Sequence, residues 1–174
     1  MKKLLCIVTA AALFTACSKS STTPATSPST TTPVIPTDGW TLNGTAYKQK
    51  YGMRQTGQVC ITGLDANSPV NSFAAFFKTY PTASGTYHIV ALVPDSTMSY
   101  PGQKIGPNDI VISGAIPNGN TTGNKYKTMW SMGSEGKDAT VTVTNGKIKV
   151  EVPEIAITSF NNDTSKITGT IIED

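Results

Sequence analysis

Residues 139–152 read ATVTVTNGKIKVEV, and this stretch decides the fold class of the chain. Valines alternate with threonines in its first half, and after Asn-Gly apolar residues alternate with charged ones. Period-two alternation places each apolar set on one face of a strand. Asn-Gly between two such runs predicts a two-residue hairpin turn, because both turn positions need a positive φ. The resulting register opposes Val143 to Ile148 and Val141 to Val150.

A second hairpin of the same kind begins the folded part. Residues 40–47 contain Asn43-Gly44, and the register opposes Trp40 to Tyr47, a favourable aromatic cross-strand pair. Further strands are expected between turn clusters of Gly, Pro, Asn and Asp, at 59–64, 72–78, 86–93, 109–116, 125–132, 154–160 and 167–173. Short strands at this spacing predict an all-β domain, either an antiparallel β-sandwich or a barrel-like meander of about 8–10 strands.

Two segments carry apolar residues on both strand faces. Residues 85–93 are apolar almost throughout, which predicts a central strand buried on both sides. In 72–78, Phe73, Ala75 and Phe77 fall on one face, whereas Phe76 falls on the other. No segment shows a sustained period of 3.6, so we expect no long amphipathic helix.

The chain begins with the layout of a secretory signal. Two lysines precede an apolar stretch at 4–14, and two small residues stand directly before Cys17. A helix that spans a bilayer needs roughly 20 apolar residues, more than this stretch offers. We therefore expect residues 1–16 to be a cleaved signal peptide.

The run Phe14-Thr15-Ala16-Cys17 resembles the lipobox of bacterial lipoproteins, with Phe14 where leucine is commoner. The resemblance implies that Cys17 carries diacylglycerol on its thiol and an acyl chain on its amine. An ordinary signal peptide, cut near Ala16, is the alternative. Ser18 in place of a retaining aspartate implies the outer membrane, and the lack of an acidic cluster after it favours the periplasmic side over surface exposure.

Residues 17–37 are expected to form a tether between the lipid and the fold. Sixteen of the 20 residues from 18 to 37 are Ser, Thr or Pro. Such a segment cannot bury enough apolar area to offset its ordering entropy. A glycosylated stalk has a similar composition and is the alternative interpretation. Residues 38–174 are then a single all-β domain.

Charge and cysteine content restrict the function classes. The net charge of +3 comes from Lys2, Lys3 and Lys19, since 11 basic and 11 acidic residues balance within 38–174. A nucleic-acid partner would require a basic stripe, so none is expected. With Cys17 lipidated, Cys60 stands alone in the domain, and we expect a small core residue rather than a nucleophile.

The whole domain resembles small outer-membrane lipoproteins of unknown function from Bacteroidetes-type bacteria. The matching positions are turn and core residues: Trp40, Asn43, Gly44, Tyr47, Gly85, Tyr87, Val141, Val143, Gly146, Lys147, Ile148, Ile167, Gly169 and Thr170. The resemblance implies a fold and brings no activity with it.

The sequence gives little support for a catalytic site or a metal site. His88 is the only histidine, so a zinc site lacks ligands, and no nucleophile elbow accompanies it. Glu151 and Glu154 are the best carboxylate pair for glycoside hydrolysis, although Glu151 faces solvent in the predicted hairpin. The Asp65–Asn67 and Asn161–Asp163 segments offer oxygens to calcium, but Asx-rich turns explain both. We expect no cofactor, no metal and no catalytic residue.

Tyrosines in loops and at strand ends are the candidate ligand contacts. Tyr80, Tyr100 and Tyr126 offer ring faces that stack on sugars and hydroxyls that orient a polar edge. The competing interpretation is that they cap the ends of the domain. The expected function is a lipid-anchored, non-enzymatic module that binds a glycan or an envelope protein. The alternative is a carbohydrate-active β-sandwich, either glycan-binding or glycoside-hydrolysing.

Lipidation gives a direct prediction. Mass spectrometry of protein from its native membrane should find a chain that starts at triacylated Cys17, because two or more acyl chains are needed for firm anchoring. Cys17→Ser should leave the membrane fraction, whereas Cys60→Ser, which keeps the lipobox, should remain there. An unmodified thiol at Cys17 or an uncleaved leader would contradict the assignment.

Overall fold

A computed structural model describes residues 34–68, 71–94, 96–117, 126–132 and 136–174. The expected signal peptide 1–16, Cys17 and most of the expected tether lie outside these ranges. The described residues form eleven strands and no helix, which confirms the all-β class. The strands are β1 Gly39–Leu42, β2 Thr45–Tyr47, β3 Gln49–Arg54, β4 Cys60–Asp65, β5 Ser72–Phe76, β6 Gly85–Ile89, β7 Asp109–Pro117, β8 Tyr126–Ser131, β9 Asp138–Thr144, β10 Lys147–Thr158 and β11 Thr164–Ile172.

Both predicted hairpins are confirmed in register. β9 and β10 pair Val143 with Ile148 and Val141 with Val150, and Asn145 and Gly146 adopt φ of 53° and 77° at the turn. In the first hairpin Trp40 lies opposite Tyr47, and their rings stack with centroids 5.6 Å apart.

The eleven strands form one mixed sheet. Its order is β2-β1-β11-β10-β9-β6-β7-β5-β4-β3, and β8 bridges β7 and β10. The pairs are antiparallel, as expected, except at one place, where β6 and β7 run parallel. Residues 90–108 form the long crossover that a parallel pair requires.

β10 corrects two strand boundaries at once. The segment expected as a separate strand at 154–160 is the second half of β10, which continues through a β-bulge between Val152 and Ile155. Beyond the bulge, β10 exchanges its neighbour β9 for β8. β3 was not predicted, because its residues are mostly exposed and carry no apolar alternation.

The two-sided burial expected for residues 85–93 is also wrong. β6 has neighbours on both sides, but Gly85, Thr86 and His88 are exposed. The strand ends at Ile89, and the residues after it keep only isolated backbone hydrogen bonds to the sheet, from the Val90 N–H to the Ile110 carbonyl at 3.0 Å and from the Leu92 N–H to the Ser131 carbonyl at 2.9 Å. Val90 and Leu92 then pack on the outer side of the sheet, so a covering loop uses residues that look like strand.

Hydrogen bonds between β3, which ends the strand order, and the end of β11 give the sheet a barrel-like closure. The Gln49 side chain donates from Nε2 to the Ile172 carbonyl at 2.5 Å and accepts from the Ile172 N–H at Oε1 at 3.0 Å. The Asp174 N–H donates to the Gly52 carbonyl, and the Gly52 N–H donates to Asp174 Oδ2, both at 2.9 Å. We call these four residues the closure seam.

Two paired glycines make room for the closure seam. Gly52 lies opposite Gly63 across β3 and β4. A Cβ on Gly52 would overlap the Ile172 carbonyl oxygen, and one on Gly63 would lie 2.7 Å from Gln49 Oε1. Larger side chains at either position would push the Gln49 amide or the β11 backbone out of place.

The closed sheet separates two apolar clusters. The interior holds the main core, with Trp40, Phe73 and Phe77 among its largest fully buried side chains. Phe76 faces the other way and joins a second cluster with Cys60 and Val111 on the outer face. The position of Phe76 on the opposite strand face from Phe73 and Phe77 therefore indicates a strand that is buried on both sides.

The closure seam predicts a selective cost for one methyl group. Gly52→Ala should lower the free energy of unfolding by at least about 2 kcal/mol, because the blocked atom belongs to backbone that cannot rotate away. Gly85→Ala is the control: a Cβ there meets nothing within 4 Å, and we expect a change within about 0.5 kcal/mol. Equal stability of the two variants in urea titrations would contradict the proposed seam.

Candidate binding groove

The outer face of β4, β5, β7 and β8 carries a groove of about 410 Å³. We call it the outer groove. Its lining alternates along each strand with residues of the interior core, as period-two geometry requires. The lining residues are Gln55, Gln58, Thr62, Leu64, Ser72, Ala74, Phe76, Ser113, Ala115, Tyr126, Thr128 and Trp130.

Small side chains on the middle strands give the outer groove its depth. Ser72 and Ala74 on β5 lie opposite Ala115 and Ser113 on β7, so the floor is low across two strands. β8 supplies the aromatic wall with Tyr126 and Trp130. The β3–β4 turn supplies the other wall, made of carboxamide side chains.

Trp130 packs against a neighbouring ring and has an indole donor without a partner. Its ring packs against Phe76 with centroids 5.5 Å apart at an interplanar angle of 48°. Its indole Nε1 is buried and has no hydrogen-bond partner. A buried polar group without a partner costs roughly 1–3 kcal/mol.

Among the described residues, the lining of the outer groove contains no Asp, Glu, Lys, Arg or His. Its polar groups are hydroxyls and carboxamides, and Gln55 Nε2 donates to Thr62 Oγ1 at 2.8 Å. Such a surface offers orientation through neutral hydrogen bonds and gives an ionic ligand nothing to pair with.

A second cleft of about 410 Å³ adjoins the outer groove and shares Tyr126 and Thr128 with it. Its far side is the β10–β11 turn, where Phe160 is 71% exposed. Lys127 pairs with Asp163 across the cleft, and the hydrogen bond from Lys127 lowers the pKa of the Asp163 carboxyl. Tyr126, itself 51% exposed, thus stands between two depressions.

Of the three predicted tyrosines, only Tyr126 lines the outer groove. The single hydroxyl proton of Tyr80 is shared between the backbone carbonyls of Gln58 at 2.9 Å and Cys60 at 3.2 Å, and the Arg54 guanidinium lies 4.6 Å from its ring centroid. The Tyr100 hydroxyl donates to the Lys78 carbonyl at 3.1 Å. Both hydroxyls are therefore occupied by the chain's own backbone, as the capping interpretation expects.

Trp130 and Phe160 were missed by the sequence reasoning. Trp130 shares a strand face with Tyr126 and Thr128 at two-residue spacing, so the pattern 126, 128, 130 was the available signal. Phe160 lies just after the end of β10, where no alternation of residue types marks it as part of a site.

The residues weighed for catalysis are separately engaged. His88 Nδ1 lies 2.6 Å from Asp138 Oδ1 on the surface. Glu151 pairs with Lys149 at 2.9 Å, and Glu154 pairs with Lys166 at 3.0 Å. None of these residues lines the outer groove. Across the described ranges, no three His, Cys, Asp or Glu side chains converge as a metal-binding group.

No family model, no curated protein and no solved structure matches this chain significantly. Within the described ranges no helix is long and apolar enough to cross a membrane.

Cys60 gives a prediction on chemical reactivity. The side chain is fully buried, and burial raises the pKa of the thiol to about 11, with a contact to Thr62 Oγ1 at 3.4 Å. A raised pKa keeps the unreactive thiol form through pH 8 and 9. Iodoacetamide at pH 8 should leave Cys60 unlabelled in the native protein and label it in denaturant, as read by peptide mapping. Native-state labelling at the rate of an exposed cysteine would contradict this.

Proposed function

We propose that this chain is a lipid-anchored envelope lipoprotein whose all-β domain is a non-enzymatic binding module. The lipobox-like run before Cys17 supports the anchor, and the outer groove is the binding site. The proposal agrees with the resemblance to small Bacteroidetes-type outer-membrane lipoproteins. It places the domain at the outer membrane, on the periplasmic side, at the end of a tether.

The single observation that carries the binding site is the unpartnered indole donor of Trp130, a residue that also lines the outer groove, where no described lining residue is charged. Native proteins satisfy nearly all buried polar groups, so an exception calls for a specific explanation. A ligand acceptor is the explanation that also accounts for the aromatic wall and the low floor.

The ligand class that fits this lining best is a neutral glycan. A pyranose ring presents an apolar face to an aromatic ring such as Tyr126 and hydroxyl oxygens to donors such as Trp130 Nε1. Hydroxyl and carboxamide side chains on the opposite wall match further sugar hydroxyls. The adjoining cleft beyond Tyr126 gives a chain of several sugars a path past the groove.

Glycoside hydrolysis is the weaker function for this site. Hydrolysis in most families needs two carboxyl groups that flank the scissile bond. The lining that the structure describes for the outer groove contains no carboxyl group, and Glu151 and Glu154 each face a lysine elsewhere on the surface.

Binding should depend on the two aromatic residues of β8. A neutral glycan array should retain the purified protein, and calorimetry with a retained oligosaccharide should give an affinity roughly tenfold weaker for Trp130→Phe, which keeps a ring but loses the donor. Tyr126→Ala should weaken binding similarly. Neither the unaltered chain nor the two variants should release a hydrolysis product from the oligosaccharide.

Tyr51→Ala is the matched control, since Tyr51 is 50% exposed and lies outside the groove. Its affinity should equal that of the unaltered chain, and all three variants should be folded by circular dichroism. Equal affinity in all variants, or no retained neutral glycan, would refute the proposed site.

A further inference from the structure

The cleft that adjoins the outer groove exists because β8 and β10 diverge. Among the described strands, these two pair only where Ser131 and Trp130 lie opposite Ile157 and Thr158. After Thr158 the chain leaves β10 in the β10–β11 turn, whereas β8 stays paired with β7 back to Tyr126. We call the resulting gap of about 410 Å³ the adjoining cleft. It is lined by residues 126–128 of β8 and by residues 159–161 and 163 of the turn.

Ser159 fixes the turn that forms one wall of the adjoining cleft. Its N–H donates to the Asp163 carbonyl, and its carbonyl accepts from the Asn162 N–H, both at 2.9 Å. Its hydroxyl oxygen accepts from the Asn161 N–H at 3.2 Å and from the Asp163 N–H at 3.3 Å. Asn162 adopts a φ of 62°, a left-handed conformation that asparagine tolerates. This wall is therefore set before a ligand arrives, which lowers the ordering cost of binding.

Two exposed aromatic rings line the adjoining cleft. Phe160 on the turn is 71% exposed, and Tyr126 on β8 is 51% exposed. A single exposed apolar residue is common on protein surfaces and indicates no site by itself. Here two rings line one cavity, and Tyr126 lines the outer groove as well. Together they offer the apolar contact that a sugar ring needs at a binding site.

An ion pair supplies the polar contacts of the adjoining cleft. Lys127 Nζ donates to Asp163 Oδ2, and Ser159 Oγ donates to the same oxygen at 3.3 Å. Within the described residues, no hydrogen bond ends on Asp163 Oδ1, and the Asp163 side chain is 57% exposed. The Lys127 ammonium carries three donors, of which Asp163 takes one. An acceptor beside donors matches two neighbouring sugar hydroxyls, because a hydroxyl both donates and accepts.

We propose that the adjoining cleft is a second sugar-binding subsite, in which Phe160 stacks on a pyranose ring while Lys127 and Asp163 bind two of its neighbouring hydroxyls. This inference rests on the proposed glycan-binding function, since the outer groove is the first subsite. Tyr126 and Thr128 line both depressions, so one oligosaccharide spans them across β8. The ion pair is neutral as a whole, which favours hydroxyl groups over an ionic sugar. The ligand is then a neutral oligosaccharide, and Phe160 sets the preference for longer chains.

The experiment measures affinity against chain length with the full chain purified in detergent. The probes are the cello-, malto- and manno-oligosaccharides, each from disaccharide to hexasaccharide, in calorimetry. In the series that binds, the hexasaccharide should bind the unaltered chain roughly tenfold more tightly than the disaccharide, because it adds a stacked and hydrogen-bonded sugar. Phe160→Ala should bind the disaccharide as the unaltered chain does and lose most of this gain.

Three further variants separate the two subsites. Lys127→Met removes the ammonium but keeps the length of the side chain, and it should reduce the gain as Phe160→Ala does. Trp130→Phe should weaken the disaccharide and the hexasaccharide by the same factor, because it alters the outer groove alone. Met132→Ala is the matched control: Met132 is 52% exposed and lines neither the outer groove nor the adjoining cleft, so the gain should be unchanged.

The outcomes distinguish a failed subsite from a failed function. Disaccharide binding that depends on Trp130, with an equal gain in Phe160→Ala and the unaltered chain, would overturn the second subsite and leave the outer groove standing. A hexasaccharide that binds no more tightly than the disaccharide would do the same. Loss of the gain in Met132→Ala would also overturn the assignment to Phe160. Binding of none of the three series would overturn the subsite together with the glycan-binding function on which it rests.

Discussion

The side-chain amide of Gln49 occupies the place of a paired backbone unit beside Ile172, and the barrel-like closure of the sheet depends on this contact. It forms both hydrogen bonds with Ile172 that a paired backbone unit would form. The arrangement requires the facing glycines 52 and 63, because the amide and the β11 carbonyl occupy the space of their missing Cβ atoms. Nearby, Arg54 binds Glu173 through two nitrogen–oxygen contacts of 2.7 and 3.1 Å.

The closure of the sheet determines which side chains form the core and which face outwards. The interior has room only for the main core, so the alternate residues of β4, β5, β7 and β8 face outwards. Part of that outer face is covered by Val90, Leu92 and Ile105, which pack on Phe76 and its neighbours. The remaining part is the outer groove, whose small floor residues leave space that the covering loop does not fill.

Local patterns in the sequence were enough for the hairpins and the fold class, and for little of the site. Asn-Gly turns fix register within a few residues, so the pairings of 141 with 150 and 40 with 47 followed directly. Strand direction leaves no mark on side-chain period, which is why the parallel β6–β7 pair was missed. Tyr126 was found by residue type, whereas the unpartnered donor of Trp130 arises from tertiary packing that no local pattern encodes.

The pairing of β1 with β11 sets the route by which mechanical load enters the domain. A pull on the residues before Pro36 reaches β1, and Thr170 of β11 donates a hydrogen bond to the Pro36 carbonyl at 2.5 Å. β11 passes that force to β10 through eight registered residue pairs, and the end of β10 holds β8. Tension between the amino-terminal entry and the aromatic strand is therefore borne by the longest ladder among the described strands, whose bonds are loaded together along the strands rather than opened one at a time.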